Sequence, residues 1–393
     1  LGENGDRWMF VGTYLIYGQW KQLVMEGIKR LSEAFIVTGE IEYARKALVL
    51  IDRVADVYPG FDFREQGFMY EEERTSTGYI SYWAGACDDV RDIAIAYDQI
   101  FDAVKEDASI IGYIHETAVR RGFLNDKSDF SKIRENIETN IFRHTIDHSE
   151  RIRTNFPHTD ITLAIIKAIM GWPGNREESG KLIKYIIEKS TLVDGVTGEK
   201  GTGGYASIGP NALAGFLSFF SNLYPDFLEK ALKEYPVLKD TYRFHIDTWC
   251  LERYYPGCGD MGTFAAPSTA YGNSILSREG AISKLAMSNE HFMWKLYKLT
   301  GDADFARAIY ISNGYTSRGC FEGDITAENP EELQAELDAV IHGNGCFLNQ
   351  KSVDKQAWKL AVLHSGRGGD KRSMWIDYDS GGNHGHHDAL NIG

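Results

Sequence analysis

The hydrophobic pattern is helical along most of the chain. Residues 14–38 place apolar side chains three and four apart, which predicts an amphipathic helix. Thr38-Gly39-Glu40 interrupts it, with Gly39 where a C-cap glycine belongs. EYARKALVLIDRVADVY (42–58) predicts a second helix, closed by Pro59-Gly60. The same periodicity predicts helices near 88–104, 108–121, 131–147, 159–171, 179–190, 210–222, 226–234 and 279–299.

One stretch repeats. LTGDADFARAIYI (299–311) echoes VTGEIEYARKALVLI (37–51) as Thr-Gly-acid, then an acid, an aromatic and Ala-Arg. With helix pairs of similar length, the echo predicts stacked helical hairpins in an α/α arrangement. The competing explanation is that Thr-Gly-acid is an ordinary cap and turn.

The pattern changes after about residue 330. AWKLAVLHSG (357–366) and RSMWIDYDSGG (372–382) are short β-rich runs between glycine-rich turns, and HHDALNIG begins a third. Helices followed by strands predict a helical domain over 1–330 and the beginning of an antiparallel sheet domain over 331–393. Three strands with open edges are too few for a stable sandwich, so the sheet is expected to continue beyond Gly393.

Composition narrows the function. The 393 residues are 43% hydrophobic and 25% charged, enough for a sizeable core. No apolar run is long enough to cross a membrane. The formal charge of −14 argues against nucleic acid as a partner, but a local basic cleft on an acidic protein still accepts an anion. Five cysteines without C-x-x-C spacing argue against a zinc ribbon, and buried free thiols are expected. There is no basic-then-apolar leader, and the chain opens on Leu1 rather than Met.

Candidate chemistry lies in four polar or glycine-rich stretches. In RTNFPHTDITLA (153–164), Asn155 and His158 precede a helix start near Thr159, where exposed backbone N–H groups favour an anion. DGVTGEKGTGGYASIGPNAL (194–213) is glycine-rich around Tyr205 and lacks the phosphate-loop pattern; it is expected to bring backbone and Tyr205 close to a bulky ligand, and a packed tyrosine is the alternative. TWCLERYYPGCGDMGTF (248–264) joins Arg253 to Trp249, Tyr254 and Tyr255, a cation and flat rings that suit a sugar carboxylate; a buried aromatic cluster is the alternative. His384, His386, His387 and Asp388 have metal-like character without a complete ligand set. His144 and His148 have i,i+4 spacing but no H-E-x-x-H pattern, so they are assigned to a solvated face.

MWIDYDSGGNHGHHDALNIG resembles the junction of the heparinase II/III-like polysaccharide lyases, where an H-G-H-x-D-x-L pattern enters a β-sandwich. DGVTGEKGTGGY, YYPGCGDMG and EERTSTGYISYWAGACDDVRDIAIAYD (72–98) are similar to further segments of that family, in the same order. The resemblance implies a mainly α fold, an incomplete (α/α) toroid followed by an antiparallel β-sandwich. It implies β-elimination on a uronic-acid polysaccharide. Neutralising the carboxylate makes the C5 proton removable, and an acid then protonates the leaving oxygen.

By this resemblance Tyr205 is acid and base, His384 is a base or stabiliser, and Asn155 with His158 neutralise the carboxylate. Arg253, Tyr254, Tyr255, Trp249, Glu199 and Tyr79 are expected to contact substrate. His386 matches the first ligand of a structural zinc in the sandwich, its partners falling beyond Gly393, and catalysis needs no cofactor. The family also implies a secreted or periplasmic protein. A C5-epimerase of the same architecture and a non-catalytic carbohydrate-binding protein are the alternatives. The acidic balance favours a non-sulfated polymer.

Overall fold

A computed structural model describes residue 5 and residues 18–66, 77–260, 266–272, 275–276, 285–366, 368–378 and 391–392. The described chain is mainly helical with a small antiparallel sheet near its C-terminal end. It divides into two compact units, Leu1–Ile183 and Lys184–Gly393. The expected domain step at 330/331 lies inside the second unit.

In the first unit a π-helical segment, Lys21–Met25, leads into α1 (Glu26–Thr38). Gly39 then turns left-handed, with φ 71°, and α2 (Ile41–Ala55) begins. Thr38 bridges the turn, its hydroxyl donating to Ala34 O at 2.7 Å and accepting from Glu40 N at 3.2 Å. Helix α2 buries Ala44, Ala47, Leu48, Ile51, Val54 and Ala55, the three-and-four spacing that the pattern predicts. Helix α3 (Trp83–Val104) buries Ala86, Cys87, Val90, Ile93, Ala94, Tyr97, Ile100 and Val104 at the same spacing, and packs on α1 and α2.

Helix α4 (Ala108–Arg121) is capped by Asp107, whose carboxylate accepts from Ser109 N and Ile110 N. Helix α5 (Phe130–Ile137) continues through a π-helical turn, Glu138–Arg143, into His144–Asp147. Helix α6 (His158–Gly171) packs against α3. Lys127 is a buried polar centre of this unit. Its ammonium lies 2.6 Å from both Asp52 and Asp56, and Asn136 Nδ2 donates to the same two carboxylates at 2.9 and 3.1 Å. Two carboxylates and an amide compensate the charge that burial would otherwise penalise heavily. The division between the units falls within α7 (Arg176–Ser190).

In the second unit α8 (Tyr205–Leu223) is buried nearly all round, from Ala206 through Ser221, as a central helix must be. Helices α9 (Phe227–Glu234) and α10 (Val237–Asp247) pack beside it. Helices α11 (Asn289–Thr300) and α12 (Ala303–Ser312) form a hairpin through Gly301, and α13 (Pro330–Asn344) packs on α12.

Strands β1 (Val353–Lys355), β2 (Leu360–Ser365), β3 (Arg372–Asp377) and β4 (Asn391–Ile392) form an antiparallel sheet in sequence order. Val353 pairs with Val362, Val362 with Trp375, and Ile376 with Ile392. The sheet shares a core with the helical part of this unit. Trp358, Leu360, Val362 and Trp375 cluster with Val196, Ala206 and Phe244. Among the described residues no helix is long and apolar enough to cross a membrane.

Candidate functional site

Tyr205 opens α8, half-buried, at the end of the glycine-rich loop. Three anchors fix that loop. Trp358 is the first: its backbone N donates to Asp194 Oδ2 at 2.9 Å and its indole N–H to Thr197 O at 2.9 Å. Lys200 is the second. It is 4% exposed, donates to the Trp358 carbonyl, and stands 4.7 Å from the Trp358 ring centroid. The third is Thr202, whose hydroxyl donates to Pro256 O at 2.6 Å. Gly201 is required here, because its φ is +109° and a Cβ would lie 2.3 Å from Asp260 O. Gly201 O then accepts from Gly204 N and Ala206 N, setting the turn that delivers Tyr205. Glu199 is half-buried in the same loop.

His245 also holds this loop, and the sequence pattern did not single it out. It is fully buried on α10, and its Nε2 lies 3.1 Å from Thr202 O. A carbonyl only accepts, so Nε2 carries the hydrogen. Burial pushes the imidazole pKa down to about 3, so the ring is neutral and its Nδ1 is an acceptor that no donor among the described residues reaches. The available signal was a histidine between Phe244 and Ile246, which by spacing alone is indistinguishable from a packed one.

The aromatic segment behaves in two ways. Arg253 is exposed and lies 5.4 Å over the half-buried Tyr254 ring, so this cation and this ring remain open to a ligand. Trp249 and Tyr255 correct the expectation that they contact substrate. They are 0% and 3% exposed and stack on each other at 6.0 Å. Their polar atoms are satisfied internally, Trp249 Nε1 by Ser268 O at 2.9 Å and Tyr255 Oη by Gly272 N at 2.7 Å. Both are core residues, and no sugar reaches them.

Tyr79, in the first unit, is likewise corrected. It is 2% exposed, stacked on Tyr58 at 4.3 Å, with its hydroxyl 3.0 Å from His144 Nδ1. Burial raises its pKa to about 12, which keeps it a neutral phenol. His144 therefore belongs to a packed network rather than to a solvated face, whereas His148 is exposed.

Asn155 and His158 flank the turn that starts α6, and His158 N donates to Asn155 O at 3.0 Å. The helix begins at His158, one residue before the expected Thr159. Burial lowers the His158 pKa, the Arg91 charge lowers it further, and Asp88 opposes both. The neutral imidazole therefore shares its surroundings with a guanidinium. Arg91 pairs with Asp88 through Nη2 at 2.7 Å, while its buried Nε has no partner among the described residues. Arg91 is a second residue that sequence reasoning missed, although it lies within the 72–98 segment.

His384 and His386 lie outside the described residues. Among the described residues no group of three His, Cys, Asp or Glu side chains is placed to hold a metal. Cys87, Cys250, Cys258 and Cys320 are free and buried, and Cys346 is half-buried. No protein-family model, no curated protein and no solved structure matches this chain.

Proposed function

We propose that the chain is a polysaccharide lyase that cleaves a uronic-acid polymer by β-elimination, built as an incomplete (α/α) toroid leading into a β-sandwich. The observation that carries this reading is the anchored tyrosine. Trp358, Lys200 and His245 fix a glycine-rich loop, and that loop presents Tyr205 half-buried at a helix start. A phenol on a rigid turn suits a proton-transfer role, because its position is set before substrate arrives.

In this reading Tyr205 takes the C5 proton and returns a proton to the leaving glycosidic oxygen. Arg253 and Tyr254 supply an accessible cation and ring for a uronate. Asn155 and His158 hold the neutralising role by resemblance, and the neutral state of His158 suits donation of a hydrogen bond to a carboxylate. His384 as a further stabiliser, or as the base if elimination is anti, and His386 as a zinc ligand belong to the same reading, and no step runs through a metal. A secreted or periplasmic setting goes with a polymer substrate.

The test is ultraviolet absorbance with the full chain on a panel of uronic-acid polysaccharides, beside Tyr205→Phe. Elimination creates a C=C bond conjugated to the carboxylate, which hydrolysis and epimerisation do not. The expected result is rising absorbance on one polymer class, reduced about a hundredfold or more in Tyr205→Phe. A rise that survives the substitution removes Tyr205 from the mechanism. Silence across the panel, with deuterium exchanging at C5, makes the protein an epimerase. Silence in both leaves a carbohydrate-binding protein.

A further inference from the structure

The second unit holds a cavity of about 600 Å³, none of whose lining residues belongs to the glycine-rich loop. That volume is in the range of small-ligand sites, roughly 300–1,000 Å³. Its wall includes Arg307, Phe347, Asn349, His364, Lys371 and Arg372, and among the described residues no Asp or Glu lines it. In a chain of formal charge −14, a cavity lined by three cations and no carboxylate selects for a negative ligand.

Two of the cations are already compensated from behind the wall. Lys371 Nζ donates to Glu252 Oε1 at 2.6 Å, and Arg307 Nη1 to Asp304 Oδ1 at 2.6 Å. Glu252 is buried and also accepts from Leu348 N at 2.9 Å and Tyr315 Oη at 3.1 Å, and it is not one of the lining residues. His364 is held on both nitrogens. Nε2 faces Asp247 O at 3.0 Å and Nδ1 faces Ser373 Oγ at 2.9 Å. Arg372 is different: it opens β3, is exposed, and has no ion-pair partner among the described residues. A guanidinium with its fork open is matched by a carboxylate. Phe347 adds a flat apolar face, 48% exposed, with Lys371 Nζ 5.3 Å from its centroid. Exposed Asn349 and Ser365 supply polar groups for hydroxyls.

We propose that this cavity is a binding site for a carboxylate-bearing sugar of one or two residues. Its carboxylate sits on Arg372 and the C–H face of its ring on Phe347. The site is separate from Tyr205 and does not depend on the elimination reading.

The test is calorimetric titration of the full chain with sodium D-glucuronate, methyl glucoside and inorganic sulfate. Glucuronate is expected to bind and methyl glucoside to bind at least about tenfold more weakly. Arg372→Ala and Arg372→Gln should each weaken glucuronate about tenfold, and Phe347→Ala about threefold or more. Both positions are exposed, and matching thermal melts check that the variants fold. Elimination is read separately by ultraviolet absorbance and this site by the Arg372 and Phe347 variants, so a failure here and a failure of elimination are distinguishable. Equal affinity for the neutral glycoside, or unchanged binding in the Arg372 variants, overturns the proposal. So does sulfate binding as tightly as glucuronate with no effect of Phe347→Ala, since that describes an anion site without sugar recognition.

Discussion

His245 is fully buried, its Nε2 bonded to Thr202 O and its Nδ1 unmet among the described residues, and its pKa is pushed down to about 3 by burial. The unfolded chain, with an ordinary value near 6.5, therefore binds a proton there that the folded chain refuses. Stability from this group is fully present above 6.5 and is lost as pH falls from 6.5 towards 3. The slope is about 1.4 kcal/mol per pH unit within that window. Urea denaturation at pH 6, 5 and 4 should approach this slope, and His245→Gln should show a shallower one. His158 and His144 have the same sign of shift, so the difference between the two proteins isolates His245. Parallel slopes would mean that His245 titrates alike in the folded and the unfolded chain. At this scale much of the candidate site was not legible. Residue type identified Tyr205, Arg253 and Tyr254, but only burial separates them from Trp249, Tyr255 and Tyr79, which share their chemistry and lie in the core.

The clearest element is the helical hairpin that occurs twice. Thr300 repeats Thr38 bond for bond, its hydroxyl donating to Leu296 O at 2.6 Å and accepting from Asp302 N at 3.3 Å. Gly301 turns left-handed with φ 69°, as Gly39 does with φ 71°. The echo between 37–51 and 299–311 is thus a shared local device, with threonine closing the last turn and glycine reversing the chain. A Cβ at either glycine would meet no atom within 4 Å, so only the backbone conformation resists a side chain. Gly39→Ala and Gly301→Ala should each cost about 1 kcal/mol, and asparagine at either place less. Chemical denaturation reads this directly, and a neutral alanine at both would show that the turns relax. Two helices escaped the pattern for opposite reasons. Helix α10 buries polar and apolar residues alike, from Leu238 to Asp247, so it has no contrasting face. Helix α13 buries only Leu337 and Ile341, a stripe too thin to register, and its signals were Pro330 at the start and Asn329 accepting from Glu332 N at 3.3 Å.

Across the whole molecule, the order of helices before strands was readable because period 3.6 and period 2 are distinct in the sequence. The division into Leu1–Ile183 and Lys184–Gly393 was not, since it falls inside a continuous helix, Arg176–Ser190, rather than in a linker. Cysteines offer a probe of each unit in the intact chain. Cys87 lies in the first, buried on α3, where its Sγ is 3.2 Å from Thr162 Oγ1. Cys250 and Cys258 lie in the second, and burial pushes both thiols up to about 12, so neither is a thiolate near neutral pH. Only Cys346 is partly accessible. Titration with a thiol reagent at pH 8 should therefore give one fast equivalent in the native protein, removed by Cys346→Ser, and five in strong denaturant. At intermediate denaturant, mass spectrometry of the labelled peptides reports each unit through its own cysteines. Labelling of Cys87 before Cys250 and Cys258 would make the first unit the less stable, and simultaneous labelling would make unfolding a single cooperative step. Two or more fast thiols in the native protein would contradict the burial on which this ordering rests.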